Sequence, residues 1–225
     1  LSAPNFHAEC EKILSSLDSA KKPRLLLHAC CAPCSSYTIE FLAEHFFITI
    51  FYYNPNIFPA EEYFRRLNEL KSFLTKFPPA LKNRVEFHEE NYDEKEFFDA
   101  IKIRENPELK NSPEKGERCR RCYKFRLEKS FEFAAKNDFD FFCTTLSISP
   151  FKDAKKINET GMEIAQKNPC RTKWLFSDFK KKNGFKRSLE LSAEFGLYRQ
   201  NYCGCIFSAE SSTTRGQQAS TAEQL

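Results

Sequence analysis

Residues 24–34 read Arg24-Leu25-Leu26-Leu27-His28-Ala29-Cys30-Cys31-Ala32-Pro33-Cys34, and this stretch decides how the rest of the chain is parsed. Residues 24–28 form a short apolar run of the kind that makes a strand buried on both faces. The loop that follows leads into residues 35–45, whose spacing predicts a helix. Pro33 suits a first helical turn, where its missing N–H has no partner to lose. A strand, a tight loop and a helix therefore meet at Cys30, Cys31 and Cys34.

Outward from this unit the pattern recurs. A β-rich run at 47–53 stops at the Asn54-Pro55-Asn56 turn signal, and 60–77 has helical spacing up to Pro78-Pro79. Further strands are predicted at 84–88, 140–146 and 172–176, and further helices at 93–104, 119–136, 150–167 and 188–195. Residues 106–116 are polar and turn-rich and read as a loop. This alternation predicts an α/β fold: a Rossmann-like parallel sheet with helices on both faces and a cysteine-bearing helical segment. Ligands of such sheets sit beyond the carboxyl ends of the strands. The Cys30 loop, the Asn54 turn and Thr144-Thr145 all follow strands, so they are expected to meet at one edge. Residues 1–23 read as a helical extension and 24–210 as a single α/β catalytic domain. The Ser-, Thr- and Gln-rich stretch 211–225 reads as a disordered tail.

At 225 residues the chain can bury one sizeable core, and its 24 Phe against one Met and one Trp predict that aromatic packing dominates it. No apolar run approaches the roughly 18 residues needed to cross a membrane. Leu1 to Glu9 lack the layout of an export signal, so a cytoplasmic location without membrane association is expected. The net charge of +4 implies no nucleic-acid partner by itself. Two local clusters can neutralise phosphates, one of Lys115, Arg118, Arg120, Arg121, Lys124 and Arg126, the other of Lys180, Lys181, Lys182, Lys186 and Arg187. The plainer reading of both is a solvated face.

Ten cysteines in a reducing compartment suggest metal binding or catalysis more than stapling. Cys119-Arg120-Arg121-Cys122 is a C-x-x-C pair, compatible with zinc or with an iron–sulfur cluster. A zinc ribbon would supply a second such pair or a His pair, and the chain has adjacent Cys30-Cys31 instead. Adjacent thiols reach separate corners of a cluster more easily than one tetrahedral ion, which favours the cluster and leaves structural zinc as the alternative. The arginines beside Cys119 and Cys122 favour thiolates. Cys203-Gly204-Cys205 can close a small, strained, easily reduced ring, which suits a redox role, with further metal ligation as the other option. Cys10, Cys143 and Cys170 stand alone and read as packed thiols.

These residues resemble a known family. His28-Ala29-Cys30-Cys31-Ala32-Pro33-Cys34-Ser35 is similar to the opening motif of epoxyqueuosine reductases of the QueH type. The likeness continues through Tyr53-Asn54-Pro55-Asn56-Ile57, Glu62-Tyr63, Arg66, Cys119-Arg120-Arg121-Cys122-Tyr123, Arg126-Leu127, Thr144-Thr145-Leu146 and Ser149-Pro150. It closes with Asp178-Phe179-Lys180-Lys181, Gly184, Ser188, Leu191-Ser192 and residues 197–205, Leu-Tyr-Arg-Gln-Asn-Tyr-Cys-Gly-Cys. The resemblance runs from about Arg24 to Ser208. It implies a fold akin to adenine nucleotide hydrolases, a 4Fe–4S cluster on Cys30, Cys31, Cys119 and Cys122, and a redox-active disulfide of Cys203 and Cys205. It also implies reduction of epoxyqueuosine at the tRNA wobble position to queuosine, the last step of its synthesis, without cobalamin. An external electron donor is required.

Cys34 is then the spare thiol for a second, mononuclear metal ion, iron or zinc, with Asp93 as carboxylate partner. His28, Asp93 and Asp178 are the candidates for proton transfer. Arg120, Arg121, Lys152, Lys180 and Lys181 are candidates for tRNA contact, and Tyr53, Tyr63, Tyr123 and Tyr202 for stacking on an extruded base. Two rivals remain. An ATP-using tRNA sulfurtransferase would carry a Gly/Ser-rich phosphate loop where this chain has His28-Ala29-Cys30-Cys31. A zinc-bound RNA-binding module would leave the C-x-C pair without purpose.

Overall fold

The computed structural model of the protein describes residues 4–18 and 21–209. Five parallel strands form one sheet: β1 (Arg24–His28), β2 (Phe47–Tyr52), β3 (Glu86–Glu89), β4 (Phe141–Thr144) and β5 (Lys173–Trp174), in the order β3-β2-β1-β4-β5. The chain builds outward from β1 to one side, then returns to its other side to place β4. The switch in strand order thus falls between β1 and β4, where such folds open a crevice beyond the strand ends. In register, His28 lies beside Phe51 on one side and Thr144 on the other.

Both faces are covered, as the continuous apolar strands require. Leu25 and Leu27 point into a core shared with α1 (Phe6–Ser16), α2 (Ala32–Leu42), α3 (Ala60–Leu74) and α4 (Pro78–Lys82). Leu26, Phe51 and Phe142 point the other way, against α6 (Glu117–Lys136) and α7 (Ala154–Lys167). A smaller apolar cluster joins α5 (Glu94–Ile101) to Cys122, Cys205 and Phe207. On the first face, α8 (Gly184–Glu194) packs on α2. Aromatic contacts such as Phe131–Phe142 and Phe142–Trp174 run through the second layer, as the Phe count predicts.

Several boundaries differ from the sequence reading for local reasons. α2 begins at Ala32, three residues early, because Pro33 lies inside the first turn and Ser35 N bonds back to the Cys31 carbonyl. α7 starts only at Ala154, since residues 150–152 form a turn and the Asp153 side chain accepts from Lys156 N at 3.1 Å. The strand predicted over 140–146 ends at Thr144, whose hydroxyl caps a 3-10 turn over Thr145–Ile148. The predicted loop at 106–116 holds a 3-10 turn over Pro107–Asn111. The expected tail at 211–225 lies outside the described residues.

Candidate active site

The first thiol group is built at the end of β1. Ala29 N donates to the Phe51 carbonyl at 3.0 Å, and the Asn54 side chain donates to the Ala29 carbonyl at 2.8 Å, fixing the loop against the end of β2. Cys31 is the extended N-cap residue of α2, so Cys30, Cys31 and Cys34 gather at a helix N-terminus. Their sulfur atoms all lie within 4.8 Å of one another, with Cys30 and Cys31 at 3.8 Å. Hydrogen bonds from Cys31 and Cys34, with the charges of Arg126 and Arg66, hold the Cys30 thiol well below its ordinary range. The bond to Cys30 pushes Cys31 up to about 12, and bonds to both neighbours push Cys34 up.

The second group comes from α6 and the chain after α8. Cys119 and Cys122 sit near the start of α6 and share a small cavity with Cys203, Cys205, Arg126 and Lys152. The Cys203–Cys205 loop is docked on α3 and the Asn54 turn: Phe58 N donates to the Gly204 carbonyl at 2.8 Å, and Arg66 Nη1 reaches the Cys203 carbonyl at 3.4 Å. Gly204 has φ +109, and a Cβ there would lie 2.8 Å from Arg66 Nη1, so both backbone and space demand glycine. All ten cysteines are free thiols.

A larger cavity of about 150 Å³ opens above both groups, lined by Cys30, Cys34, Arg126, Lys152 and Cys203. Glu114, Phe151, Phe185, Arg199, Gln200 and Tyr202 form further parts of its wall. Phe151, part of the same wall, is 59% exposed.

The charge balance is positive and buried. Arg66, Arg126 and Lys152 are all buried, and among the described residues the Glu62 carboxylate pairs only with Arg66, at 2.6 Å. Arg66 Nη2, Arg126 Nε, the Tyr123 hydroxyl and Gln200 Oε1 are buried without a hydrogen-bond partner among the described residues. Such orphans are rare in native interiors unless a further group completes the site. Soft thiol donors enclosed by unsatisfied cations fit a thiolate-bound iron–sulfur cluster, whose net charge is negative. Burial pushes Cys122 up to about 11, so bound positive metal is what would favour its thiolate form.

The structure sorts the remaining sequence candidates. Lys152 reaches neither surface nor rim: it is buried, and its Nζ lies 2.5 Å from Cys203 Sγ. Arg118 and Arg126, read as part of a basic surface, are buried, with Arg118 bonded to the Leu109 and Lys110 carbonyls. Arg121 braces the Ile101 carbonyl and Glu117, and Lys180 pairs with Asp178 at 2.6 Å, while Arg120 and Lys181 are exposed. None of the three proton-transfer candidates lines either cavity. His28 is buried between Thr144 Oγ1 (2.8 Å) and the Tyr53 carbonyl (3.2 Å), and burial pushes its pKa down to about 3, so it is a neutral strut. Asp93 is exposed and caps α5 through Lys95 N, so it is not brought to Cys34. Of the four tyrosines, Tyr202 alone lines the larger cavity. Cys10 and Cys143 are packed, as expected, but Cys170 is exposed.

Sequence reasoning missed Gln200, whose Nε2 donates to Cys31 Sγ at 3.1 Å, and the inward face of Arg126. The second had a signal: Arg118, Cys122, Arg126 and Ser130 recur every fourth residue, one stripe of a helix.

The family model for epoxyqueuosine reductase QueH matches residues 25–211. This chain belongs to the QueH family. It is 41% identical over 189 residues to "Epoxyqueuosine reductase QueH" of Streptococcus pyogenes serotype M1, covering 84% of this chain and 71% of the relative. The protein of the same name from Staphylococcus epidermidis is 38% identical, with 91% and 84% covered. That from Thermotoga maritima is 35% identical, with 82% and 89% covered. The QueH family is one of oxidoreductases.

Proposed function

We propose that this chain reduces the epoxide of epoxyqueuosine at the wobble position of tRNA to the alkene of queuosine, in the cytoplasm. A 4Fe–4S cluster is held by Cys30, Cys31, Cys119 and Cys122, and Cys203 with Cys205 forms a redox-active pair. The observation that carries this reading is the single cavity whose wall holds Cys30, Cys34, Lys152 and Cys203 together.

Removing an epoxide oxygen consumes two electrons and two protons and releases water. A dithiol supplies both electrons at once. The cluster, when bound, would supply one-electron transfer and an iron-centred Lewis acid. The chain's own residues do the rest. Arg66 and Arg126 offset negative charge, and Cys34, gathered beside Cys30 and Cys31, is the spare thiol for a second, mononuclear ion. Phe151, Phe185 and Tyr202 offer ring faces to an extruded base, and exposed Arg120, Lys181 and Arg199 can meet phosphates. An external electron donor completes the cycle. No helix among the described residues is long and apolar enough to cross a membrane.

The test is iron and acid-labile sulfide content with an optical spectrum on protein purified without oxygen. About four of each per chain, with a brown colour that bleaches on reduction, is the expected result. Colourless protein with stoichiometric zinc, after attempted reconstitution, would overturn the cluster and leave a zinc-bound RNA-binding module.

A further inference from the structure

The two sulfurs of Cys203-Gly204-Cys205 are placed differently. Cys203 lines the larger cavity beside Cys30 and Cys34, whereas Cys205 lines only the smaller one and donates to Ser208 Oγ at 3.5 Å. Lys152 lines both cavities, and its ammonium sits on Cys203 Sγ. Lys152 is 8% exposed, and a buried ammonium is costly unless paired. No carboxylate lies within ion-pair distance of it among the described residues, so the Cys203 sulfur is its counter-charge. Arg126, Cys119, Cys122 and Tyr123 from α6 complete the charged and titratable surroundings.

We propose that Lys152 is the positioning residue that makes Cys203 the exchanging thiol of the pair and leaves Cys205 as the buried resolving thiol. This rests on the reading of Cys203 and Cys205 as a redox pair.

The chemistry balances. In turnover the Cys203 thiolate and the Cys205 thiol lose two electrons and one proton as their S–S bond forms, and the second proton comes from solvent water. The epoxide gains them: both C–O bonds break, C=C forms and the oxygen leaves as water. Recovery requires a dithiol reductant. One of its thiolates attacks Cys203 Sγ, the S–S bond breaks, and Cys205 leaves and takes a proton. The reductant's second thiolate then attacks the mixed disulfide, forming the reductant's own disulfide, and Cys203 leaves as a thiolate beside the Lys152 ammonium. A stabilised leaving thiolate and a stabilised attacking one are the same state, so one cation serves both directions.

The test needs no substrate. Reduced, anaerobic holoenzyme carrying Cys205→Ser or Cys203→Ser is treated with glutathione disulfide, and capture at the remaining thiol is followed by peptide mass mapping. Cys203 is expected to form a lasting mixed disulfide in Cys205→Ser, and Cys205 to react about tenfold more slowly or less in Cys203→Ser. Adding Lys152→Met to Cys205→Ser should slow capture about tenfold, and Lys152→Arg should restore most of it. Equal rates at the two positions, a comparison that leaves Lys152 intact and so survives any misfolding of Lys152→Met, would overturn the proposal. So would capture at Cys203 that is indifferent to Lys152→Met, as expected of a lysine serving only phosphate. Mapping of oxidised wild-type protein separates the two layers. A Cys203–Cys205 disulfide there with failed kinetics removes the role of Lys152 alone, whereas its absence removes the redox pair itself.

Discussion

Arg126 joins two motifs that are far apart in sequence: it bonds to Asn54 beyond β2 at 2.5 Å and faces both Cys122 and Cys30. At this scale the residue types were legible and their partners were not. Spacing identified the thiols, because ligand geometry restricts how close cysteines must lie along the chain. Nothing in Ser149-Pro150-Phe151-Lys152 says that the lysine turns inward, since its sulfur partner arrives from beyond α8. Cys34 belongs to this scale too. It shares the first thiol group but is not among the proposed cluster ligands, so Cys34→Ser should abolish turnover while iron stays near about four per chain. Loss of iron along with activity would make Cys34 a structural ligand.

At the scale of elements, the Cys203 loop shows how little regular structure a reactive pair needs. Phe58 N bonds its Gly204 carbonyl, the Arg66 guanidinium and the Lys152 ammonium reach Cys203, Ser208 bonds Cys205, and Gly204 has a positive φ. Gly204→Ala adds strain of about 1–3 kcal/mol and a clash with the Arg66 side chain. The expected outcome is a loss of turnover of about tenfold or more, with an unchanged far-UV circular dichroism spectrum and iron content. Elements themselves were well marked in the sequence where hydrophobic period and caps agree, as for β1 and β2. The sequence reading erred where a side chain ends an element early: the Thr144 hydroxyl cuts β4 short, and the Asp153 cap delays α7. Both are N-cap bonds whose residue types were visible, but whose geometry depends on the turn beside them.

At the scale of the whole molecule, alternating strands and helices were enough to predict a parallel sheet and a ligand edge. They did not give the strand order, and that order puts the Thr145 turn beside the Cys30 loop, with Thr145 Oγ1 3.9 Å from Cys30 Sγ. The sheet is only the platform; recognition of a folded RNA has to come from the rim. Phe151, exposed there, is a ring that can stack on the base. Phe151→Ala is expected to raise the KM for epoxyqueuosine-tRNA about tenfold, in line with one lost base-stacking contact, with iron content unchanged. An unaltered KM would place the RNA on another face.

The central claim is that the thiol-lined cavity performs the reduction itself. A single-turnover reaction tests it most directly: pre-reduced, anaerobic enzyme in excess over epoxyqueuosine-tRNA, with nucleosides quantified by mass spectrometry and cysteines mapped in the same sample. The account predicts queuosine formed without an added donor, with a Cys203–Cys205 disulfide appearing in equal amount. Unconverted epoxyqueuosine in the presence of iron-loaded, fully reduced enzyme, or queuosine formed with both thiols still free, would contradict it.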